Sequence, residues 1–127
     1  MKFLSDLGIE IKNIELLNIA LTHSSYSNEC GGENYERLEF LGDSVLQLIM
    51  SEYFFENSDL KEGDMSKIRA SYVCENALFE YSKKINLIPN IKVGHGLDHT
   101  VNETIVADVF EAVLAVIYLD KGFSVAK

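Results

Sequence analysis

The chain has 127 residues, with 11 Lys and Arg against 20 Asp and Glu, and a formal net charge of -9. This length fits one domain that can bury a hydrophobic core without covalent staples. Its two cysteines, Cys30 and Cys74, form no CxxC pair, which argues against a disulfide framework or a structural zinc site. The negative charge predicts repulsion from nucleic acid unless cations intervene, because affinity for phosphates normally comes from Lys and Arg.

The sequence predicts neither a signal peptide nor a membrane span. Asp6 interrupts the N-terminal apolar residues before they reach the length of a signal sequence. The longest apolar segment, Ile105–Leu119, is shorter than the ~20 residues that a bilayer requires, and it contains Asp108 and Glu111. We therefore expect a cytoplasmic protein without a membrane partner.

The apolar residues follow helical spacing through the first half of the chain. Predicted helices there are Phe3–Leu7, Ile14–Thr22 with Asn13 as its N-cap, and, after a loop through Cys30-Gly31-Gly32, Tyr35–Phe55. The last of these carries an apolar stripe formed by Leu38, Leu41, Val45, Leu48 and Ile49. This stripe predicts that one face of the helix is buried.

The second half of the chain is also predicted to be helical. Asp64 is expected to N-cap helical material that reaches Ile85, either continuous or broken near Cys74, and that ends at Asn86 and Pro89. After a polar loop, Gly94–Val101, the last predicted helix is Glu103–Leu119. No strand is required, so the predicted fold class is all-α.

Two predicted helices carry carboxylates in segments too apolar to face water on all sides. Asp43 is the one charged residue in segment 40–50, and Asp108 and Glu111 are the charged residues in segment 105–119. No Lys or Arg lies within one helical turn of Asp108 or Glu111. An unpaired buried carboxylate would cost several kcal/mol or take up a proton, so a compensating group is required.

The spacing of the acids places them on two helix faces. Glu36, Glu39 and Asp43 follow i, i+3, i+7, and Asp108 and Glu111 follow i, i+3. If the two helices pack with these faces together, the carboxylates at positions 39, 43, 108 and 111 converge. A divalent cation would relieve their repulsion, and a set of oxygen ligands favours Mg²⁺ or Mn²⁺ over zinc.

The same residues also have structural interpretations. A solvated helix face is an alternative explanation for Glu36 and Glu39, and distant cationic side chains could neutralise Asp108 and Glu111. Gly42 costs about 1 kcal/mol relative to alanine inside a helix. Its position therefore indicates close approach of another backbone or a ligand, or simply tight helix packing.

Segment 35–44, YERLEFLGDS, resembles the signature N-E-R-L-E-F-L-G-D of the ribonuclease III catalytic domain. Segment 20–26, ALTHSSY, is similar to the family's upstream A-L-T-H-x-S-Y, and Glu62-Gly63 with Ile68-Arg69-Ala70 is similar to E-G-x-L…R-A. Segments 107–112, ADVFEA, and 117–120, IYLD, resemble its closing A-D-x-F-E-A…I-Y-L-D. The resemblance covers essentially the whole chain, in order.

This resemblance implies an all-helical endonuclease that acts as a symmetric homodimer on double-stranded RNA, in processing such as rRNA maturation. Its products would carry 5′-phosphate and 3′-hydroxyl ends with short 3′ overhangs. By the same resemblance, Glu39, Asp43, Asp108 and Glu111 would hold Mg²⁺, which Mn²⁺ can replace, and no small-molecule cofactor is expected. Asp43 and Glu111 are expected to be indispensable for catalysis. In a two-metal mechanism one cation activates the attacking water and the other stabilises the leaving 3′ oxygen.

The resemblance also assigns expectations to residues around the acidic set. Glu36 and Glu62 correspond to outer acids of the cleft, where they would position RNA or water. Phe40 would insert into a pocket of the partner subunit, with an ordinary core position as the alternative. Lys67 and Arg69 are candidate phosphate contacts, although a solvated helix face is the favoured explanation for Lys67.

The chain departs from the family pattern at two places. Tyr35 stands where the signature has asparagine, a change expected to alter only the start of the helix. The loop at 94–102 is less basic than the family's, which weakens the expectation of direct RNA contacts there. Within it, His95 and His99 have the spacing of a zinc pair, but the neighbouring glycines argue against a helix. His23 is expected to be a structural, hydrogen-bonding histidine.

The resemblance assigns residues 1–127 to one catalytic domain. The family adds a double-stranded-RNA-binding domain after it, and we expect that domain to have been truncated from this chain. Two other functions compete with a nuclease. One is a catalytically idle ribonuclease III-like module that dimerises or scaffolds RNA, although such modules usually lose acids of the cluster. The other is a plain helical interaction domain whose acids form salt bridges.

Overall fold

The computed structural model describes residues 2–57, 59–94 and 102–122, and these residues form seven α-helices. The helices are α1 (Lys2–Asp6), α2 (Ile14–Ala20), α3 (Ser24–Cys30), α4 (Glu36–Asn57), α5 (Glu62–Val73), α6 (Glu75–Lys84) and α7 (Glu103–Lys121). A 3₁₀ turn, Ile88–Asn90, follows α6. Among the described residues no strand occurs, and one isolated bridge joins Thr22 to Lys92. The predicted all-α fold is confirmed.

Several predicted helix signals are present in the structure. Asn13 caps α2, where its side chain accepts the N–H of Leu16 at 3.1 Å. Cys74 separates α5 from α6 with an extended backbone, so the helical material that begins near residue 62 is broken there. Asn86 follows α6 with a φ of 61° and ends that helix, as expected. The zinc spacing of His95 and His99 lies outside the described residues.

Two local predictions are wrong. The segment before Cys30 was expected to be a loop, but it forms α3. This short helix begins where His23 Nδ1 accepts the N–H of Ser25, and it ends at Gly31, which adopts a φ of 80°. Asp64 does not cap α5, because the helix begins at Glu62. Asp64 lies in the first turn, where a carboxylate interacts favourably with the helix dipole.

Helix α7 is the centre of the molecule. It packs mainly against α4 and also against α6 and α2. Most of its side chains are buried, namely Ile105, Val106, Ala107, Val109, Glu111, Ala112, Val113, Leu114, Ala115, Val116 and Ile117. Yet none of the described helices is long and apolar enough to cross a membrane.

Helix α4 buries the face that its apolar stripe predicts, with one exception. Leu38, Val45 and Ile49 are buried, whereas Leu48 is 55% exposed and Leu46 is buried in its place. Leu48 therefore does not belong to the core-facing stripe. The exposed face of α4 consequently carries large apolar side chains.

Helices α4 and α7 come into close backbone contact at Gly42. A Cβ added at this position would overlap the backbone carbonyl of Glu111. Tight packing of two helices therefore explains a glycine in the middle of α4. Because of this contact, the acidic faces of the two helices lie side by side.

Candidate metal centre

Three of the predicted acids converge where α4 meets α7. Glu39 from α4 and Asp108 and Glu111 from α7 each place a carboxylate oxygen within 4.8 Å of the others. Glu111 is only 8% exposed, and Glu39 and Asp108 are half-buried. The structure therefore brings these three residues together, and we call them the acidic cluster.

Asp43 lies at the exposed edge of the acidic cluster. It is one turn beyond Glu39 on α4, and it lies close enough to Glu111 to raise the pKa of that carboxyl group. Asp43 is solvent-exposed and is not among the three residues whose oxygens share the 4.8 Å spacing. Asp43 thus lies outside the cluster but close enough for its charge to raise the pKa of both Glu39 and Glu111.

The acidic cluster has strongly perturbed protonation. Burial raises the pKa of Glu111 to about 8, with further contributions from the hydrogen bond and charge of Asp43. Burial also raises the pKa of Asp108, and the pKa of Glu39 is raised by burial and then by the charge of Asp108. Burial deprives the ionised carboxylates of water, and neighbouring negative charges repel them, so both effects favour the protonated form.

A divalent cation fits this set of donors. In the described part of the chain, no Lys or Arg forms an ion pair with Glu39, Asp108 or Glu111. Within those residues, therefore, no Lys or Arg neutralises Asp108 or Glu111, and the charge of His23 lowers the pKa of Asp108 without overcoming the effect of burial. Carboxylate oxygens are the ligands that hard divalent cations prefer, and a cation would replace the proton that burial favours.

Tyr35 contacts the cluster, which its sequence position did not predict. Its hydroxyl lies 3.5 Å from Asp108 Oδ2, and its ring packs against the ring of His23 with centroids 5.8 Å apart. Burial, followed by the charge of Asp108, raises the pKa of Tyr35, so the hydroxyl remains a donor. The expectation that Tyr35 alters only the start of α4 is wrong. The hydrogen-bonding role expected of His23 is confirmed by its contact with Ser25.

The two predicted outer acids occupy different places. Glu36 is an exposed residue of the first turn of α4, close enough for its charge to raise the pKa of Glu39. Glu62 lines a separate groove between α4 and α5. Glu36 therefore lies beside the cluster, whereas Glu62 lies on a different surface.

The two candidate phosphate contacts both lie on α5. Lys67 is exposed. Arg69 lines the same groove as Glu62 and donates a hydrogen bond from Nη1 to Ser51 Oγ at 2.8 Å. Arg69 thus ties α5 to α4, a structural contact that its sequence position does not reveal.

Phe40 projects from α4 beside an open cleft. The side chain is 77% exposed, so the alternative that it is an ordinary core residue is wrong. The cleft has a volume of about 830 Å³. Its lining includes Phe40 itself together with Leu16, Ile19, Leu38, Leu41 and Leu119.

The family profile described as ribonuclease-III-like matches residues 13–127. The chain belongs to the ribonuclease III family. It is 52% identical over 126 residues to Ribonuclease 3 of Clostridium tetani, which covers 95% of this chain and 54% of that protein. It is also 52% identical to Ribonuclease 3 of Clostridium acetobutylicum, with coverage of 97% and 56%. The chain spans about half the length of these curated relatives.

Solved structures give the same family assignment. The nuclease domain of ribonuclease III from Campylobacter jejuni superposes with a TM-score of 0.89 at 36% identity, covering 98% of this chain and 88% of that one. In that protein, the region involved in dimer formation shows structural flexibility. A 2.2 Å crystal structure of the same domain gives a TM-score of 0.87. The helices described above therefore form the ribonuclease III nuclease-domain fold.

Proposed function

We propose that the chain is the nuclease domain of a metal-dependent endoribonuclease that hydrolyses phosphodiester bonds of double-stranded RNA. The convergence of Glu39, Asp108 and Glu111 in a ribonuclease III fold carries this proposal. The products would have 5′-phosphate and 3′-hydroxyl ends with short 3′ overhangs. Its cellular role would be cytoplasmic RNA processing, such as maturation of rRNA.

We infer that the acidic cluster, completed by Asp43, holds Mg²⁺ or Mn²⁺. Bound there, the cation would activate water and stabilise charge on the phosphate and on the leaving oxygen. Glu111 must release its proton to act as a ligand, because burial holds its pKa at about 8. Asp43 is solvent-exposed beside the cluster, so a cation held by its carboxylate would face the approaching RNA.

The charge of the chain is compatible with RNA only if the acidic surface is neutralised. A net charge of -9 repels phosphate, and divalent cations at the cluster would offset part of it. We propose that Lys67 contacts phosphate and that Arg69 uses the N–H groups not engaged by Ser51. Glu36 and Glu62 would position RNA or water at the edges of the cleft. A further RNA-binding domain in the whole protein would supply most of the affinity.

We propose that the nuclease domain functions as a homodimer in which Phe40 of each protomer enters the cleft of the other. Phe40 borders the cleft that it would fill in the partner, which suits the self-complementary contact of a two-fold dimer. Such a dimer would present one acidic cluster to each strand of the RNA.

The experiment is cleavage of a long duplex RNA in Mg²⁺ at low salt, with both product ends identified. We expect cuts that leave 5′-phosphates and 3′ overhangs. Asp43→Asn and Glu111→Gln should each lose more than about 100-fold in rate while remaining dimeric, because even residues behind a metal ligand contribute 10–100-fold. Glu56→Gln, an exposed acid on α4, is the matched control and should cleave normally.

The outcomes separate the competing functions. Full activity in Asp43→Asn or Glu111→Gln would contradict the roles assigned to them. An idle dimerising module would bind Mn²⁺ but leave RNA intact even when fused to a double-stranded-RNA-binding domain. A plain interaction domain would show no rise in melting temperature with Mn²⁺, because a ligand of the native state must stabilise it.

A further inference from the structure

We propose that Tyr35 is a positioning residue for Asp108, whose carboxylate its hydroxyl holds in the orientation needed to share a cation with Glu39 and Glu111. The inference rests on the proposed metal site and deepens it. In the family signature asparagine stands at this position, so the contact is not part of the resemblance. Tyr35 would touch neither the cation nor RNA, and would act through Asp108.

The contact joins the two helices that carry the cluster. Tyr35 directly precedes α4, whereas Asp108 belongs to α7. The hydroxyl lies 3.5 Å from Oδ2, a weak contact that is longer than the ~2.5–3.0 Å of a strong O–H···O hydrogen bond. A carboxylate accepts hydrogen bonds through two oxygens. A donor to one oxygen therefore restricts rotation of the group and leaves the other oxygen for a cation.

Tyr35 is buried, and backbone hydrogen bonds fix its position. Its side chain is 6% exposed, and its backbone N–H donates to the carbonyl of Thr22 at 3.0 Å. Its carbonyl accepts the N–H of Glu39 at 2.8 Å, so the same residue anchors the turn that carries another member of the cluster. The ring packs on His23, which is fixed in turn by Ser25.

This arrangement matches the physical role of groups behind metal ligands. Such groups fix the orientation of the ligand through a hydrogen bond, and their loss typically weakens metal affinity by 10–100-fold. The hydroxyl of Tyr35 is the one tyrosine hydroxyl that the described residues bring to the acidic cluster. Removing it should therefore affect the cation more than the fold.

The test is Mn²⁺ binding to the RNA-free chain, measured by electron paramagnetic resonance or calorimetry in the wild type and in Tyr35→Phe. The phenylalanine keeps the ring packing and removes only the hydroxyl. We expect the dissociation constant for Mn²⁺ to rise roughly tenfold, with the metal-free melting temperature unchanged. Tyr53→Phe, at a half-exposed tyrosine on α4, is the matched control and should bind Mn²⁺ as the wild type does.

Cleavage provides a second readout that a purely structural role would not give. In Tyr35→Phe, the Mn²⁺ concentration for half-maximal cleavage should rise by a similar factor, while the rate at saturating metal returns towards the wild-type value. Equal Mn²⁺ affinity in wild type and Tyr35→Phe would overturn the positioning role and leave the metal site intact. A wild-type chain that binds no Mn²⁺ would overturn the metal site itself, and the inference with it.

Discussion

At the scale of single residues, Glu111 is where burial and charge oppose each other most directly. Its side chain is 8% exposed, yet Asp43, Glu39 and Asp108 all surround it with negative charge. Both effects favour the protonated acid in the absence of a cation. A cation reverses this preference, because it offers the ionised carboxylate a partner in the same buried position.

The raised pKa of Glu111 predicts an inverse dependence of stability on pH. Its pKa is about 8 in the folded chain against an ordinary 4.5, so the folded state binds the extra proton between these values. The free energy of unfolding of the metal-free chain should therefore fall as pH rises from about 4.5 to about 8. Urea unfolding at a series of pH values measures this slope.

Glu111→Gln should flatten that slope, because an amide does not titrate, and should leave the variant more stable than the wild type near pH 8. Asp59→Asn, an exposed acid outside the helices, is the control and should keep the wild-type slope. Identical slopes in Glu111→Gln and the wild type would show that another group takes up the proton.

Mn²⁺ should stabilise the chain more at higher pH. The cation and the proton compete for the same carboxylates, so affinity for Mn²⁺ should increase as pH rises towards about 8. The rise in melting temperature caused by a fixed Mn²⁺ concentration, followed by calorimetry, should be larger near pH 8 than near pH 6. Asp108→Asn should lose most of this rise. An equal rise at both pH values would contradict the competition.

The sequence revealed some of these residues and not others, for a physical reason. Spacing along a helix shows which acids share a face, which is why the sequence predicts Glu39 with Asp43 on one helix and Asp108 with Glu111 on another. Three of these four converge in the structure. The role of Tyr35 depends on a contact with a residue 73 positions away. Local periodicity carries no information about such a contact, because it is created by the packing of α4 on α7.

At the scale of the elements, the contact between α4 and α7 decides whether the cluster exists. Gly42→Ala places a Cβ against the backbone carbonyl of Glu111, so the helices must separate. We expect a loss of about 1–3 kcal/mol in the free energy of unfolding, the usual cost of overpacking. Because separation also moves Glu39 away from Glu111, Mn²⁺ affinity should fall as well.

Gly63→Ala provides the matched control for this substitution. Gly63 is also helical, but a Cβ there would meet no atom within 4 Å. The alanine should leave stability unchanged or raise it slightly, because alanine favours a helix more than glycine does. Chemical unfolding and Mn²⁺ titration of both variants test the idea. It fails if Gly42→Ala is as stable as Gly63→Ala.

The elements also show where sequence patterns are informative. The long helices α4 and α7 were predictable because their apolar residues recur at helical spacing over many turns. Helix α3, with the sequence SSYSNEC, has no such pattern and depends on the cap from His23 and on Gly31. Leu48 fits the spacing of the stripe yet is exposed, since periodicity does not show how wide a face the neighbouring helices cover.

At the scale of the whole molecule, α4 has an unusual surface for a single chain. It carries the acidic cluster on one side and exposes Phe40, Leu48, Tyr53 and Phe55 on others. Exposed large apolar side chains on one helix are candidates for association surfaces. Because the same helix carries Glu39 of the acidic cluster, association through these side chains would bring two acidic clusters into one assembly.

Phe40 and Phe55 lie near opposite ends of α4, so substituting each in turn tests which end forms the association surface. They are 77% and 78% exposed, so substitution of either removes a similar surface aromatic. Phe40 alone lines the cleft beside α2 and α7. If the cleft receives the partner's Phe40, then Phe40→Asp should produce monomers in sedimentation analysis at concentrations where Phe55→Asp remains dimeric.

The stability of each variant distinguishes lost association from lost folding. Both side chains are exposed in the single chain, so both aspartate variants should keep the helical circular dichroism of the wild type. Monomeric Phe55→Asp with dimeric Phe40→Asp would move the interface to the groove between α4 and α5, where Phe55 lies. A two-fold contact repeats each residue on both subunits, so an aspartate at the true interface is introduced twice. The two negative charges repel each other, and salt screens this repulsion. The monomeric variant should therefore regain some dimer as the salt concentration increases.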